Sequence, residues 1–259
     1  MYKTGIFNWF GYILPIQERL ELIKEANFDS VMLWWEDETI PYFVDKMNFI
    51  SLANSIGLAV DNVHLPFEDT NLLWSDKKNE RNKKLTTVLT WLCDCKKSNV
   101  QKVVMHTNDL ENISLNYKMG FESFNEIVKL AEDIDLNVAI ENTKHFEYSK
   151  FILDEFKSPK LGFCYDSSHD FVNGQSKGLI LNQYKNRLMC VHLSDNDGLK
   201  DRHWLPTKGS IDFKNIINII KETSVESFSM EVYPYLNEKS LSPIEFLNKA
   251  NNIIKKIIS

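Results

Sequence analysis

The chain has 259 residues, 43% of them hydrophobic and 25% charged, with a formal net charge of −6. That is globular composition with length enough for one sizeable α/β core, and the negative balance argues against nucleic acid or an anionic membrane surface as a partner. No apolar run approaches the roughly 18 residues that span a bilayer, and the interrupted stretch MYKTGIFNWFGYILP lacks the charged start of a signal peptide, so a cytoplasmic protein is expected.

Short β-branched or aromatic runs then alternate with helical patterns. Strand Thr4–Asn8 leads to helix Ile16–Ala26, with Pro15 at its start, where proline is tolerated. Strand Ser30–Trp35 leads to helix Tyr42–Ile56, and strand Leu58–His64 to helix Arg81–Lys97. Strand Lys102–His106 leads to helix Phe121–Ile134. Strands Asn137–Glu141 and Leu161–Asp166 follow, the second before a weak helical pattern over Ser167–Gln183. Strand Leu188–Leu193 precedes helix Phe213–Glu222, and strand Ser227–Val232 precedes helix Pro243–Ile258. Asn27, Gly57 and Asn99 fall where a helix ends in a left-handed residue.

No Pro/Gly/Ser-rich linker divides this pattern. Eight strands at roughly 30-residue spacing, nearly all followed by a helix, predict one (β/α)₈ TIM barrel over residues 1–259. A doubly wound sheet would carry a glycine-rich phosphate turn after an early strand, and none is present. Cysteines 93, 95, 164 and 190 show neither a disulfide framework nor zinc-ribbon spacing and are expected to be buried or idle thiols.

The strand ends carry the chemistry. VDNVHLP closes strand three with His64, VVMH strand four with His106, and VAIEN strand five with Glu141. FCYDSSH supplies Asp166 and His169, CVHLSD supplies His192, and FSMEV supplies Glu231. In a barrel these ends converge on one face. A desolvated cluster of imidazoles and carboxylates repels itself unless a cation organises it, so a divalent-metal site of one or more ions is expected. The mixed donor set suits zinc, manganese, iron or cobalt better than calcium. The stretch HLSDNDGLKDRH (192–203) would place His192 in the mouth and return Asp201 and His203 to it. Five of the six histidines lie at strand ends or just beyond; His145, in the loop after strand five, is expected to be a bystander or a substrate contact.

These motifs resemble the xylose-isomerase-like barrel superfamily, which contains sugar isomerases and epimerases and also the zinc enzyme endonuclease IV. The resemblance covers nearly the whole chain, through strand-end motifs more than continuous similarity. Its endonuclease branch would imply three zinc ions: one on His64, His106 and Glu141, a second bridged by Glu141 and completed by Asp166, His192 and Glu231, and a third on His169, Asp201 and His203. DSSH and DRH are the most specific matches. The isomerase branch would imply a single ion, zinc or manganese foremost, on Glu141, Asp166, His192 and Glu231. Glu141 and Glu231 would there double as proton-transfer groups, and His169 would contact the sugar. KGSIDF (208–213) resembles a glycine-containing run of sugar-isomerase-like members, but Thr207-Lys208-Gly209 stands where these usually have GEG. The resemblance allows anything from a monomer to a homo-tetramer.

Two functions compete: a metal-dependent isomerase or epimerase of a small sugar or polyol acting through an enediolate, and a polynuclear-zinc phosphodiesterase of the AP-endonuclease kind. A metal-retaining binding protein ranks third, because Glu141 and Glu231 are both present. The ligand count favours the phosphodiesterase. The loop WWEDETIP favours the isomerase, since Glu36, Asp37 and Glu38 at the mouth would repel a phosphate backbone. The basic run SDKKNERNKK (75–84) is expected to be a solvated helix face. Trp9, Trp34, Trp35, Trp74 and Trp204 all fall in or beside loops of the ligand face. Trp9, Trp34 and Trp204 are the expected substrate contacts, and at least two of the five should plug the barrel end. The isomerase or epimerase reading is preferred, with a small sugar-like substrate and no nucleic-acid or membrane partner.

Overall fold

A computed structural model describes residues 2–109, 115–173 and 177–259. Eight parallel strands close into a barrel with each strand between its sequence neighbours and β1 (Lys3–Phe7) paired to β8 (Ser227–Met230). The others are β2 (Ser30–Trp34), β3 (Ala59–His64), β4 (Lys102–Met105), β5 (Asn137–Glu141), β6 (Leu161–Asp166) and β7 (Leu188–Leu193). The doubly wound alternative is excluded by closure. Strands such as β6, buried at every position, have no polar face because helices cover the outside and side chains fill the inside.

The surrounding helices are α1 (Ile16–Glu25), α2 (Phe49–Ser55), α3 (Lys78–Lys97), α4 (Tyr117–Asp133), α5 (Phe146–Glu155), α6 (Ser167–Asn173), α7 (Leu179–Tyr184), α8 (Phe213–Lys221) and α9 (Pro243–Ile258). Helix α4 shows the logic: Phe124, Ile127, Val128 and Ala131 recur at helical spacing and bury one stripe, and the Asn116 side chain caps the start by accepting from Met119 N–H at 3.2 Å. Asn27, Gly57 and Asn99 do adopt positive φ beyond α1, α2 and α3.

Several helix starts differ from the sequence reading, each for a local reason. The helix expected over Tyr42–Ile56 begins only at Phe49, after a 3₁₀ turn at Lys46–Asn48. Asp45 caps that turn by accepting from Met47 N–H at 2.8 Å, while Glu38 and Val44 exchange two 2.9 Å backbone hydrogen bonds and fold the preceding residues into a mouth loop. The pattern over Ser167–Gln183 divides into α6 and α7, with residues 174–176 outside the described ones. Helix α5 and a 3₁₀ turn at Thr70–Trp74 had no sequence signal strong enough to place them.

The strand period then builds a floor. Val104, Ala139, Cys164 and Cys190 form one buried cluster, each two residues before His106, Glu141, Asp166 and His192 respectively. Alternation puts both members of each pair on the inside of the barrel, the small residue below and the polar one above. All four cysteines are free: Cys95, Cys164 and Cys190 are buried, and Cys93 is half-buried.

Candidate active site

At the C-terminal strand ends, Glu141 is the hub. His64 Nε2 lies 3.0 Å and His106 Nε2 3.1 Å from its Oε2, while His192 Nδ1 lies 3.2 Å from its Oε1. His192 Nδ1 is also 3.5 Å from Glu231 Oε2. A second knot surrounds Asp201, whose Oδ2 is 3.2 Å from His169 Nε2 and 3.0 Å from His203 Nε2. His169 ties the two together, with Nδ1 3.5 Å from Glu141 Oε1.

Local backbone explains these positions. Asn142, just past β5, exchanges two 2.8 Å hydrogen bonds with the Asp166 main chain, and its carbonyl lies 3.0 Å from His169 Nδ1. The Asp166 carboxylate accepts from His169 N–H at 2.6 Å, at the first turn of α6. After β7 the chain is pinched where Asp195 and Trp204 exchange backbone hydrogen bonds of 2.8 and 3.0 Å, which returns Asp201 and His203 to the mouth. The aspartates of 192–203 therefore divide their work. Asp197 pairs with Arg202, and Asp195 accepts from Gly209 and Ile211 N–H. Gly209 packs on the Asn196 carbonyl so closely that a Cβ could not fit, and Asp212 caps α8, so 208–213 is a structural return rather than a ligand loop.

Charge balance in the cluster is tight. Burial alone would raise the Glu141 carboxyl, but the His192 charge and contacts with His106 and His169 outweigh it and hold it well below the usual carboxylate range. Burial pushes Asp166 up to about 7, with Glu141, Asp201 and Glu231 adding to the rise against His169. Burial opposes protonation of His192 and His203, yet carboxylate neighbours raise them to about 10 and about 9. For His106 burial wins, and its pKa falls despite Glu141.

Among the described residues, two sets bring one ligand atom from each member within 4.8 Å of every other: Glu141, Asp166, His192 and Glu231, and His64, Glu141 and His192. Asp166 Oδ2, His192 Nε2 and His106 Nδ1 are buried without a hydrogen-bond partner. The Asp166 oxygen, unpartnered beside the carboxylates and imidazole of the four-residue set, fits a divalent cation, while the open His106 and His192 nitrogens are those opposite the ones that face Glu141. His106, His169, Asp201 and His203 lie beside these sets and belong to neither: His106 contacts Glu141, His169 contacts Glu141, Asp166 and Asp201, and His203 contacts Asp201 and Glu231.

Above the cluster is a cavity of about 600 Å³ walled by Phe7, Trp9, Trp34, Phe67 and Tyr233. Trp34 stacks on His64 with ring centroids 5.2 Å apart, and Phe67 on His106 at 4.6 Å. Trp204 lies outside this lining and packs on Tyr235 at 4.6 Å, so the structure does not bring it to the site. Trp35 and Trp74 are fully buried, and Trp74 packs against Phe124 of α4 and Tyr148 and Phe151 of α5 rather than plugging the barrel end. His145 is near Glu147, away from the cavity. Tryptophans alone do not reveal Phe7, Phe67 and Tyr233; an aromatic two or three residues past a strand-end ligand signals Phe67 and Tyr233, whereas Phe7 ends β1, which carries no ligand. The basic run 75–84 does not reach the cavity, and it is not simply a solvated face: Arg81 and Lys84 are buried, donating to the carbonyls of Ser75 and Glu68.

The comparisons agree with the architecture. The family model for the xylose isomerase-like TIM barrel matches residues 20–250. The uncharacterized protein MJ1311 of Methanocaldococcus jannaschii is 27% identical over 241 residues, covering 85% of this chain and 80% of that protein. Fructoselysine 3-epimerase of Shigella flexneri is 20% identical over 261 residues, covering 92% of this chain and 93% of that one. Among solved structures, a D-tagatose 3-epimerase-like protein superposes with a TM-score of 0.79 at 20% identity, covering 99% of this chain and 97% of its own. The chain belongs to the xylose isomerase-like TIM barrel family.

Proposed function

We propose that this member of the xylose isomerase-like TIM barrel family is a divalent-metal-dependent isomerase or epimerase of a small sugar or polyol. One observation carries the reading: Glu141, Asp166, His192 and Glu231 converge beneath an aromatic-walled cavity, which Glu141 and Glu231 line and whose lining, among the described residues, includes no lysine or arginine. The full-length relative and the superposable structure named for sugar epimerases support the class.

Those four residues would hold the ion, zinc or manganese foremost. When bound, the ion supplies Lewis acidity that polarises the substrate carbonyl and makes the neighbouring C–H acidic. Glu141 and Glu231 are the acid/base pair: one carboxylate removes the proton from carbon, and the other supplies a proton to the opposite face or the adjacent carbon. Glu231 is the more accessible of the two, at 17% side-chain exposure against 1% for Glu141. His169 lines the same cavity and is placed to contact a substrate oxygen. The Trp9 and Trp34 rings offer flat surfaces for sugar C–H groups and exclude water from the enediolate.

A three-zinc phosphodiesterase is the second reading, favoured by the gathering of His169 and His203 on one oxygen of Asp201. The acidic mouth opposes it, since Glu36 and Asp37 would repel the flanking phosphates of a nucleic-acid backbone. Metal-loaded protein incubated with ketoses in D₂O separates the two. Deuterium incorporation at one C–H, read by proton NMR, is expected. Hydrolysis of a phosphodiester without exchange, by protein holding three zinc ions, would overturn the assignment.

A further inference from the structure

The ligand cluster occupies only the floor of the cavity. Its outer half is lined by the exposed Glu36, Asp37, Thr39 and Ile40, and nothing in the proposed proton transfer uses them. A cavity of about 600 Å³ lies in the range that encloses drug-sized ligands, more than a single sugar ring fills.

The mouth has a distinctive charge arrangement. Glu38 is neutralised by the buried Arg19 guanidinium and Asp37 by Lys46. Glu36 has no cationic partner among the described residues; its carboxylate is held by the Trp34 indole N–H at 2.6 Å and stays exposed. A fixed negative charge therefore stands at the edge of a tryptophan wall. Arg19 lies over the Trp9 ring at 3.6 Å, so one face of that indole already carries a cation. An indole face with an adjacent carboxylate is the recognition chemistry of an alkylammonium group. A phosphate in the same space would meet Glu36 and Asp37 and no lysine or arginine.

We infer, building on the isomerase or epimerase reading, that the outer half of the cavity binds an amine-bearing substituent, so that the substrate is a sugar conjugate carrying a cationic alkylammonium arm rather than a free or phosphorylated sugar. Glu36 and the Trp9 and Trp34 rings determine that specificity.

The test uses metal-loaded full-length protein and three matched probes: a ketohexose, its 6-phosphate, and the same ketose bearing a primary alkylammonium on a short linker. Solvent deuterium exchange gives kcat/KM for each. The aminated probe should exceed the free ketose at least tenfold and the phosphate by more, and Glu36→Gln should reduce the ratio of aminated to free ketose at least fivefold, chiefly through KM. A free ketose or phosphate equal to or better than the aminated probe would overturn the inference and leave the isomerase or epimerase reading intact. An unchanged ratio in Glu36→Gln would remove Glu36 from the specificity role and overturn it too. Absence of exchange with all three would overturn both readings.

Discussion

Glu141 and His192 face each other across β6, with the carboxylate Oε1 3.2 Å from the imidazole Nδ1 and both side chains 1% exposed. Two strands separated by a third thus hold a full carboxylate charge and an imidazole in contact at the centre of the barrel mouth. Such burial is costly unless the pair is charge-balanced and hydrogen-bonded. Glu141 alone is in contact with four histidines.

Glu231→Gln keeps the shape of the side chain but removes the base. Turnover should fall about 10²–10⁴-fold, the usual worth of positioned proton transfer, while the thermal unfolding curve stays close to wild type. Exchange in D₂O and circular dichroism measure the two quantities. Retained exchange would remove Glu231 from the acid/base pair.

Metal content should be one ion per chain in protein purified without chelator, held by the four-residue set. At free metal near 100 times Kd the ion should stabilise the fold by about 2.7 kcal/mol, so chelation should lower Tm. Three zinc ions per chain would make Asp201 and His203 ligands. Elemental analysis and differential scanning calorimetry decide.

Metal uptake should release protons. His192 is raised to about 10 by Glu141 and Glu231 against the effect of burial, so it holds a proton at neutral pH that a ligating imidazole must lose. Protons compete with the ion, so affinity should fall as pH falls. Calorimetric titration in two buffers of different ionisation enthalpy measures the protons released; a buffer-independent heat would contradict this.

Arg19→Met should destabilise the fold by about 3–5 kcal/mol, because Glu38 is left buried without its cation. It also removes the guanidinium that joins Trp9 to the mouth loop. The double variant Arg19→Met/Glu38→Gln should recover part of that loss, since no uncompensated charge remains. Urea denaturation gives each value, and a double variant no better than the single one would refute the charge argument.

Gly120→Ala tests packing in α4. Alanine gains about 1 kcal/mol in helix propensity, but its Cβ would overlap the Trp74 ring, a fully buried side chain pinned to the Thr107 carbonyl at 2.6 Å. Overpacking of about 1–3 kcal/mol should offset or exceed the gain, for a net loss of up to about 2 kcal/mol in urea denaturation.

Much of this protein was legible in the sequence because two periodicities are local. Strand alternation and helical spacing are written in consecutive residues, and the closure rule for repeated βα units places every strand end on one face. That is why His64, His106, Glu141, Asp166, His192 and Glu231 could be gathered before any coordinates. Helix starts at Phe49 and Tyr117 were less legible, because caps such as Asp45 and Asn116 are single side chains whose choice of backbone partner leaves little pattern. Tertiary structure alone decided which donors converge, since mutual distances across a barrel depend on strand tilt and stagger, to which no short segment testifies. It placed His192 with His64 and Glu141, kept Trp204 out of the cavity, and turned Asp195 into a loop knot while Asp201 entered the site. It also paired Arg19 of α1 with Glu38 of the next loop, a contact between residues 19 positions apart that only the packed chain brings together.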